Sequence, residues 1–347
     1  MKTKLATSLA ALLLAAPAFA DAPEGSVTAI TETPGIIGDA DDPAIWVHPT
    51  DPMASLVLGT DKYNGLFVYN LRGEEVGFFN DGSINNVDIR EFSLGGETVW
   101  LASATERDED DIVFYVIRAD GTVERASPHR FEGMPEYEGR VRNIYGHAMG
   151  RDPETGRVWV YVNFKTGQVA QYEVLDNGGQ LDLVQSRVLS VETQPEGMVI
   201  DDDAGTLYVG EEDVAIWRFP AFPEDGDEAT RIASIPSDCF PRDDIEGLTL
   251  YNDGENKYLM ASAQYIHRVA VFPIIGDTVP VCAGLVEIAA GDIDGVTETD
   301  GLDVVATPLG DAYPKGMLVM MDDQNANFTT NFKFISAADV LESLKLD

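Results

Sequence analysis

The sequence predicts an all-β, six-bladed β-propeller whose four-stranded antiparallel blades surround a central channel. Three observations favour this fold class. Six repeats of short apolar strands follow one another in a fixed internal order, Gly, Asp, Asn and Pro turns separate the strands, and helical periodicity is nearly absent. The repeats open 44 to 59 residues apart, near the spacing of propeller blades. A two-sheet sandwich is the alternative, and six ordered repeats favour the propeller over it.

Residues 1–20 have the order of a cleavable secretory signal peptide. Two lysines precede an apolar run over residues 5–16, and Ala18-Phe19-Ala20 forms a small-residue cleavage site. The apolar run is too short to span a bilayer. We therefore expect cleavage after Ala20, a location in the periplasm or the medium, and a single propeller domain over residues 21–347 that has no membrane partner.

Each repeat contains three recognisable strands. A polar residue opens the first strand, polar residues end the second, and an aromatic or Val/Ile pair ends the third. Residues 26–33 alternate like a strand and are predicted to form the outer strand of the last blade, which would close the ring and remove free edges. Residues 336–346 have the pattern of one short helix.

The chain is strongly acidic, with 60 Asp and Glu against 23 Lys and Arg and a formal net charge of −37. Such a surface repels nucleic acid and anionic lipid, so neither is an expected partner. Most of the acids are expected to solvate the surface. Some are expected to form sites for hard cations, because Ca²⁺ takes about six to eight oxygen ligands.

The chain has two cysteines, Cys239 and Cys282. In an exported protein, a disulfide between them and a pair of buried free thiols are both open interpretations. Two cysteines and four histidines without ligand spacing do not make a structural zinc site.

The openings of the first strands carry residues that a propeller brings together. In this fold the first strand of each blade lines the channel, so equivalent positions of different blades converge. The six openings are Asp42, Asn86, Tyr145, Glu196, Glu246 and Asp300. Asp41 and Asp244 lie close to two of them in the chain. Converging carboxylates raise one another's pKa unless a cation neutralises them, and without His or Cys the set suits Ca²⁺ better than zinc.

The ends of the second strands predict a second layer of site residues. They are Lys62, Arg107, Lys165, Glu212, Gln264 and the pair Asp322-Asp323. Cations fall in the first three blades and acids in the fourth and sixth, which predicts a pocket with one basic and one metal-binding wall suited to a polyphosphorylated ligand. For any one of these residues a solvated place on the rim is the alternative, so the prediction rests on the register of six blades.

Motifs of covalent phosphatases are missing from the sequence. His129 lies in Pro-His-Arg rather than in the Arg-His-Gly motif of histidine acid phosphatases, and neither cysteine is followed by five residues and an arginine. Four histidines are too few for a typical purple acid phosphatase centre. These features argue against a covalent phosphoenzyme.

Seven motifs, spread in order over the mature chain, resemble those of the β-propeller phytases. They are Asp41-Asp42-Pro43-Ala44-Ile45-Trp46, Asn85-Asn86-Val87-Asp88-Ile89-Arg90, Glu196-Gly197-Met198, Glu211-Glu212-Asp213 with Ala215-Ile216-Trp217, Asp244-Ile245-Glu246-Gly247-Leu248, Thr299-Asp300-Gly301 and Asn331-Phe332-Lys333. The resemblance implies a six-bladed propeller and a calcium-dependent 3-phytase. Such an enzyme is a phosphomonoester hydrolase that releases phosphate from phytate (myo-inositol hexakisphosphate), taken as its calcium complex, by attack of a calcium-activated water.

The resemblance also implies roles for individual residues. By motif, the calcium-site positions are Asp42, Glu196, Glu212, Asp244, Glu246 and Asp300. The predicted substrate-binding residues are Lys62, Arg107, Lys165 and the site tyrosine Tyr145. The predicted catalytic residues are Asp42, Glu196, Lys62, Arg107 and Tyr145. Glu32 is a candidate match to an N-terminal metal ligand.

Two positions depart from the family pattern. Tyr63 follows Lys62 where the family carries a second lysine, and Thr166 follows Lys165 where it carries a glutamate. The first change predicts a weaker second phosphate subsite, and the second predicts the loss of one calcium ligand.

Two other functions stay open from the sequence. A calcium-dependent propeller lactonase or phosphotriesterase-like enzyme needs an apolar pocket with little basic character, which Lys62, Arg107 and Lys165 argue against. A non-catalytic propeller would bind a partner through its top face and use calcium only to stabilise its blades. A propeller of this size is self-sufficient, so we expect a monomer.

Overall fold

The structure, a computed structural model, describes residues 22–126, 143–276 and 278–346. The predicted signal peptide, residues 1–20, lies outside the described residues. The described chain forms six small sheets, and the innermost strand of each contacts the innermost strand of the next, with the sixth contacting the first. The sheets are therefore the blades of a closed ring, which confirms the predicted six-bladed β-propeller.

The first half of the described chain contains two short strands and three complete blades. The short strands are β1 (Glu24–Thr28) and β2 (Thr31–Glu32). Blade 1 contains β3 (Ala40–Trp46), β4 (Leu56–Asp61), β5 (Gly65–Asn70) and β6 (Glu75–Phe79). Blade 2 contains β7 (Ile84–Leu94), β8 (Glu97–Glu106), β9 (Asp111–Ile117) and β10 (Val123–Arg125). Blade 3 contains β11 (Ile144–Arg151), β12 (Val158–Phe164), β13 (Gln168–Asp176) and β14 (Leu181–Ser190).

The second half contains the other three blades and short helices. Blade 4 contains β15 (Pro195–Asp201), β16 (Thr206–Glu211), β17 (Ala215–Pro220) and β18 (Thr230–Ser234). Blade 5 contains β19 (Ile245–Asn252), β20 (Lys257–Ala263), β21 (Arg268–Pro273) and β22 (Gly284–Ala289). Blade 6 contains β23 (Leu302–Val305), β24 (Met317–Asn325) and β25 (Thr329–Ser336). Single-turn 3₁₀ helices lie at Pro52–Ala54, Pro223–Asp225, Gln264–Ile266 and Ala326–Phe328.

The N-terminal segment closes the ring through two blades rather than one. Strand β2 pairs antiparallel with β25 and completes blade 6 as its outer strand. Strand β1 instead pairs in parallel with β22 and forms a fifth, outermost strand of blade 5. The prediction of one strand over residues 26–33 on the last blade was therefore wrong for its first part. The division protects the outer edges of both blades, because an unpaired edge would be open to association with another chain.

The predicted C-terminal helix is confirmed with narrower bounds, as α1 (Ala337–Ser343). Ser336 is its N-cap, and the Ser336 hydroxyl accepts a hydrogen bond from the amide of Asp339 at 3.3 Å. Val340 and Leu341 bury the inner face of the helix against blades 5 and 6. Within the described residues, no helix is long and apolar enough to cross a membrane.

The hydrophobic core lies between neighbouring blades. Each of the six interfaces around the ring holds its own cluster of buried apolar side chains. Between blades 2 and 3, for example, Phe114 packs in one cluster with Met149 and Val160, and all are at most 1% exposed. Because every blade is buried on both faces, most side chains of the middle strands are apolar on both sides of the sheet.

The two cysteines form a disulfide. Cys239 lies in the connection from blade 4 to blade 5, and Cys282 lies just before β22. Their Cα atoms are 6.3 Å apart, within the usual range for a disulfide. Of the two interpretations left open by the sequence, the structure has the disulfide.

Candidate active site

A β-bulge at the start of the first strand positions the site residues. In blade 1, Ala40 pairs with Asp61 and Pro43 pairs with Gly59, so one extra residue is inserted in the first strand. The ladder shifts at the same place in blades 2 to 5. A bulge redirects the side chains beside it, so each of these five blades turns a polar residue toward the channel mouth.

Glycines let the bulged strands meet at the centre of the ring. A Cβ atom on Gly146 would lie 2.0 Å from the carbonyl oxygen of Glu196, and one on Gly197 would lie 2.0 Å from that of Glu246. The amides of the equivalent glycines of blades 5 and 6 donate hydrogen bonds to the next blade's site residue, from Gly247 to Asp300 at 2.7 Å and from Gly301 to Asp41 at 2.9 Å. The close approach of neighbouring first strands therefore leaves no room for a side chain at Gly146 and Gly197.

The structural register corrects the alignment of the repeats. The residues that precede the glycines, and those that match them in blades 1 and 2, form what we call the central ring: Asp41, Asn85, Tyr145, Glu196, Glu246 and Asp300. The predicted alignment with Asp42 and Asn86 is wrong by one residue, because these two occupy the glycine position. The Asp42 carboxylate accepts a hydrogen bond from the amide of Val87 at 3.0 Å.

Three carboxylates of the site lie close enough to share one cation. Oxygens of Glu196, Glu212 and Glu246 all lie within 4.8 Å of one another. Burial and the charge of Glu196 raise the pKa of Glu246 well above its usual value. Burial also raises the pKa of Glu212 to about 8, with a contribution from Glu196. A proton bound by one of these carboxylates neutralises negative charge that a bound cation would otherwise neutralise.

The donor set fits a hard cation. The Oε2 atom of Glu246 and the Oδ1 atom of Asp244 are buried and have no hydrogen-bond partner among the described residues. Burial, Asp213 and Glu196 raise the pKa of Asp244 to about 6. Carboxylate oxygens without His or Cys are the ligands that Ca²⁺ prefers, so the residues present fit this ion.

Lys62 lies among the acids of blades 1 and 6. Its Nζ atom is 3.0 Å from Oδ1 of Asp41 and 2.5 Å from Oδ2 of Asp300. Burial opposes its charge, but Asp41 and Asp300 together raise the pKa of Lys62 well above its usual value. The Gln264 amide donates a second hydrogen bond to Asp300. Lys62, which the sequence predicts to bind phosphate, is thus also the counter-ion of two carboxylates of the central ring.

Two other cations converge on Tyr145 and form the basic wall of the site. The guanidinium carbon of Arg107 lies 5.3 Å from the centre of the Tyr145 ring, and Nζ of Lys165 lies 4.1 Å from it. Burial and the charge of Arg107 lower the pKa of Lys165. In the described part of the chain neither cation forms an ion pair with a carboxylate. Two adjacent cations without a counter-ion make a binding place for an anion.

One side chain links the basic wall to the carboxylates. Arg107 donates a hydrogen bond to the amide oxygen of Asn85 at 3.0 Å, and the amide nitrogen of Asn85 donates to Glu196 at 3.0 Å. Neither this role of Asn85 nor the contact of Gln264 with Asp300 is predicted by the sequence patterns. Alignment of the repeats on their glycines would have placed Asn85 and Asp41 in the central ring.

The remaining predicted positions lie elsewhere or add no charge. Glu32 contacts Lys333 and the amide of Asn331, and so forms part of an internal ion cluster. Tyr63 is 69% exposed at the rim. The hydroxyl of Thr166 hydrogen-bonds Gln168. Tyr63 and Thr166 therefore do not supply the lysine and glutamate charges that the family pattern carries at these two positions.

A polar cavity of about 260 Å³ lies next to the central ring, along the first strands of the blades. It is lined by Asp42, Asp88, Arg90, His147 and Asp303 among others. Arg90 pairs with Asp88 at 2.8 Å, and Nε2 of His147 lies 2.7 Å from the hydroxyl of Ser103. The channel therefore stays polar below the central ring.

Fold and site together define a six-bladed β-propeller whose channel mouth joins a carboxylate cluster to an anion-binding wall. The family model described as Phytase matches residues 2–346. The 3-phytase of Bacillus subtilis (strain 168) is 36% identical over an alignment of 361 residues, which covers 99% of this chain and 94% of that protein. The chain belongs to the phytase family, and the predicted resemblance and the predicted enzyme class, a phytase, are confirmed.

Proposed function

We propose that this protein releases phosphate from phytate in a calcium-dependent reaction, with phytate taken as its calcium complex. The observation that carries the proposal is the Asn85 link, because it holds Arg107, which forms no ion pair with a carboxylate among the described residues, beside a carboxylate cluster in one channel mouth. A phosphomonoester dianion needs cations around its oxygens, and the charge of nearby carboxylates must be neutralised before it can approach them. The basic wall supplies the cations, and a metal held by the carboxylates would neutralise their charge.

The proposed calcium ligands are Asp42, Glu196, Glu212, Asp244, Glu246 and Asp300, and we add Asp41 because it shares the Lys62 ammonium with Asp300. When bound, calcium would neutralise the carboxylates, shield the substrate charge and lower the pKa of a water for in-line attack on phosphorus. The short distances among Glu196, Glu212 and Glu246 support these three as ligands of one ion.

The chain's own residues bind and orient the substrate in this proposal. Arg107 and Lys165 hold phosphate oxygens, and Tyr145 keeps the two cations apart and in place. Lys62 neutralises Asp41 and Asp300 and reaches toward the transferred phosphate. Phosphoryl transfer depends mainly on such positioning and charge stabilisation, so these four residues carry most of the proposed rate enhancement.

We also propose that the mature protein is exported to the periplasm or the medium and acts as a monomer. The pattern of residues 1–20 supports export. N-terminal sequencing of the exported protein and light scattering after gel filtration test the two points. A mature chain that begins before Asp21, or a mass of twice the monomer, would contradict them.

Phosphate release from phytate tests the proposed function. The mature protein is assayed with calcium and after chelation, with a simple aryl phosphate as the comparison substrate. Calcium-dependent release with a marked preference for phytate is the expected result. Stabilisation by calcium without release of phosphate would favour the non-catalytic propeller instead. Preference for a lactone or a phosphotriester would favour the other hydrolase, against which the basic wall argues.

A further inference from the structure

A rigid segment between blades 4 and 5 carries an arginine to the rim of the site. Cys239 is 1% exposed and is held by the disulfide to Cys282. Phe240 is fully buried and stacks on Phe272, with ring centres 5.9 Å apart. Two residues further on, Arg242 is exposed. The segment is therefore anchored in the core immediately before the side chain that it presents to solvent.

Arg242 is stacked on a rim tyrosine. Its guanidinium carbon lies 3.7 Å from the centre of the Tyr265 ring, and Tyr265 is 51% exposed. Within the described ranges, Arg242 forms no ion pair with a carboxylate, although the surrounding surface is acidic. Stacking covers one face of a guanidinium and leaves its N–H groups free for an anion.

Both residues of the pair lie close in the chain to residues of the site. Tyr265 directly follows Gln264, whose amide donates a hydrogen bond to Asp300. Arg242 lies two residues before Asp244, which interacts electrostatically with Glu196. Tyr265 also occupies in blade 5 the place that Tyr63 occupies in blade 1, one residue after the strand-end position. The stacked pair therefore lies at the rim of the channel mouth.

The position of Arg242 complements that of the basic wall. The strand-end cations belong to blades 1, 2 and 3, and the corresponding positions of blades 4 and 6 carry acids. In a ring of six, blade 5 lies across the channel from blade 2, which carries Arg107. Arg242 thus places a cation on the acidic half of the rim.

We propose that Arg242, stacked on Tyr265, forms a further anion subsite that binds a second phosphate group of a polyphosphorylated substrate, across the channel from the basic wall. This inference rests on the proposed function, and it names a residue that determines specificity. A substrate with several phosphates reaches both sides of the mouth, whereas a monophosphate bound at the basic wall does not. The subsite therefore selects for polyphosphates.

Steady-state kinetics of Arg242→Gln test the subsite. The KM for phytate is expected to rise about tenfold because one charge-assisted contact is lost. The kcat is expected to change less than about twofold. The kcat/KM for an aryl monophosphate is expected to change less than about twofold. Tyr265→Leu should raise the KM for phytate about threefold, and Tyr265→Phe should restore it because the ring is kept. Arg72→Gln, which removes an equal charge from an exposed site in blade 1, is the matched control and should change neither substrate's KM.

Direct binding separates the subsite from turnover. Calorimetry with myo-inositol hexakissulfate, which carries six anionic groups, should show the same tenfold loss in Arg242→Gln, about 1.4 kcal/mol. An unchanged KM and Kd, or equal losses for phytate and the aryl monophosphate, would overturn the inference. If the unsubstituted protein releases no phosphate from phytate, the proposed function fails, and the calorimetric comparison still decides the subsite.

Discussion

The Lys62 ammonium lies 2.5 Å from a carboxylate oxygen of Asp300, which joins the first blade to the last at the channel mouth. Asp41 shares the same ammonium at 3.0 Å. A residue predicted to bind phosphate thus forms an ion pair with one predicted to bind metal. A cation bound at Asp300 would compete with Lys62 for that carboxylate and release the ammonium toward a phosphate.

Lys62→Met is expected to lower kcat/KM for phytate about a hundredfold or more, because a cation is lost from the transition state. In chelator it should also lower the free energy of unfolding by about 3 kcal/mol, since Asp41 and Asp300 are left without their counter-ion. Added calcium should stabilise this variant more than the unsubstituted protein. Urea unfolding with and without calcium measures the effect, and exposed Lys315→Met is the control. Equal calcium stabilisation of both proteins would contradict the competition.

Glu196→Gln should abolish turnover of phytate while the fold stays intact. Glutamine keeps the shape and a hydrogen bond to Asn85 but removes the charge beside Glu212 and Glu246. Initial rates should fall about a hundredfold or more, and the thermal midpoint in chelator should not fall. Glu97→Gln, on the exposed surface, is the control. Near-normal activity would remove Glu196 from the site.

Gly197→Ala tests the close approach of the first strands. The new Cβ atom would lie 2.0 Å from the backbone oxygen of Glu246, which cannot move without shifting blade 5. We expect a loss of about 2–3 kcal/mol in the free energy of unfolding and a large loss of activity. Gly77→Ala, whose Cβ would meet Val68 at an ordinary 3.4 Å, should change stability by less than about 1 kcal/mol. Similar unfolding curves for the two variants would refute the steric argument.

Lys333→Met is expected to weaken the closure of the ring. The Lys333 side chain is fully buried, and its ammonium contacts Glu32 and Asp294, with Asp322 at 3.5 Å. Removal of the lysine leaves the buried carboxylate of Asp322 unpaired beside two partly exposed carboxylates, at a cost of about 3 kcal/mol in the free energy of unfolding. Denaturant titration of this variant beside Lys315→Met measures it. A difference below about 1 kcal/mol would mean that water replaces the lysine.

Burial of His147 is expected to make the free energy of unfolding fall in acid. Burial, assisted by Arg90, lowers the pKa of His147 to about 3, below the usual histidine value of about 6.5. The unfolded chain therefore binds a proton at a pH where the folded chain does not, and stability is lost as the pH falls from 6.5 toward 3. The loss from this residue is about 1.4 kcal/mol per pH unit. His147→Gln, which can still hydrogen-bond Ser103, should show a slope smaller by that amount in chelator, and parallel pH curves would rule out the assignment.

The arrangement of the blades follows from local patterns. Strands such as Val158–Phe164 are apolar or aromatic at every position except Asn163, near the end, and the turns between strands carry Gly and Asp. Strand number and order are therefore readable without any contact being known. The same regularity identified the strand-end cations Lys62, Arg107 and Lys165. Alignment of the six openings failed by one residue in blades 1 and 2, because these two blades carry Asp42 and Asn86 at the bulge position where the other blades carry a glycine.

Contacts between blades depend on positions far apart in the chain, and only the folded ring decides them. The sequence contains Asn85, Arg242 and Lys333, but nothing in the residues near them indicates that they meet Glu196, Tyr265 and Glu32. The division of the N-terminal segment between blades 5 and 6 has the same origin, since both sheets offer an open edge to an alternating strand. Local periodicity thus determined the fold class and the kinds of residue in the site. The closed ring determined which side chains pair, because pairing depends on distance in space.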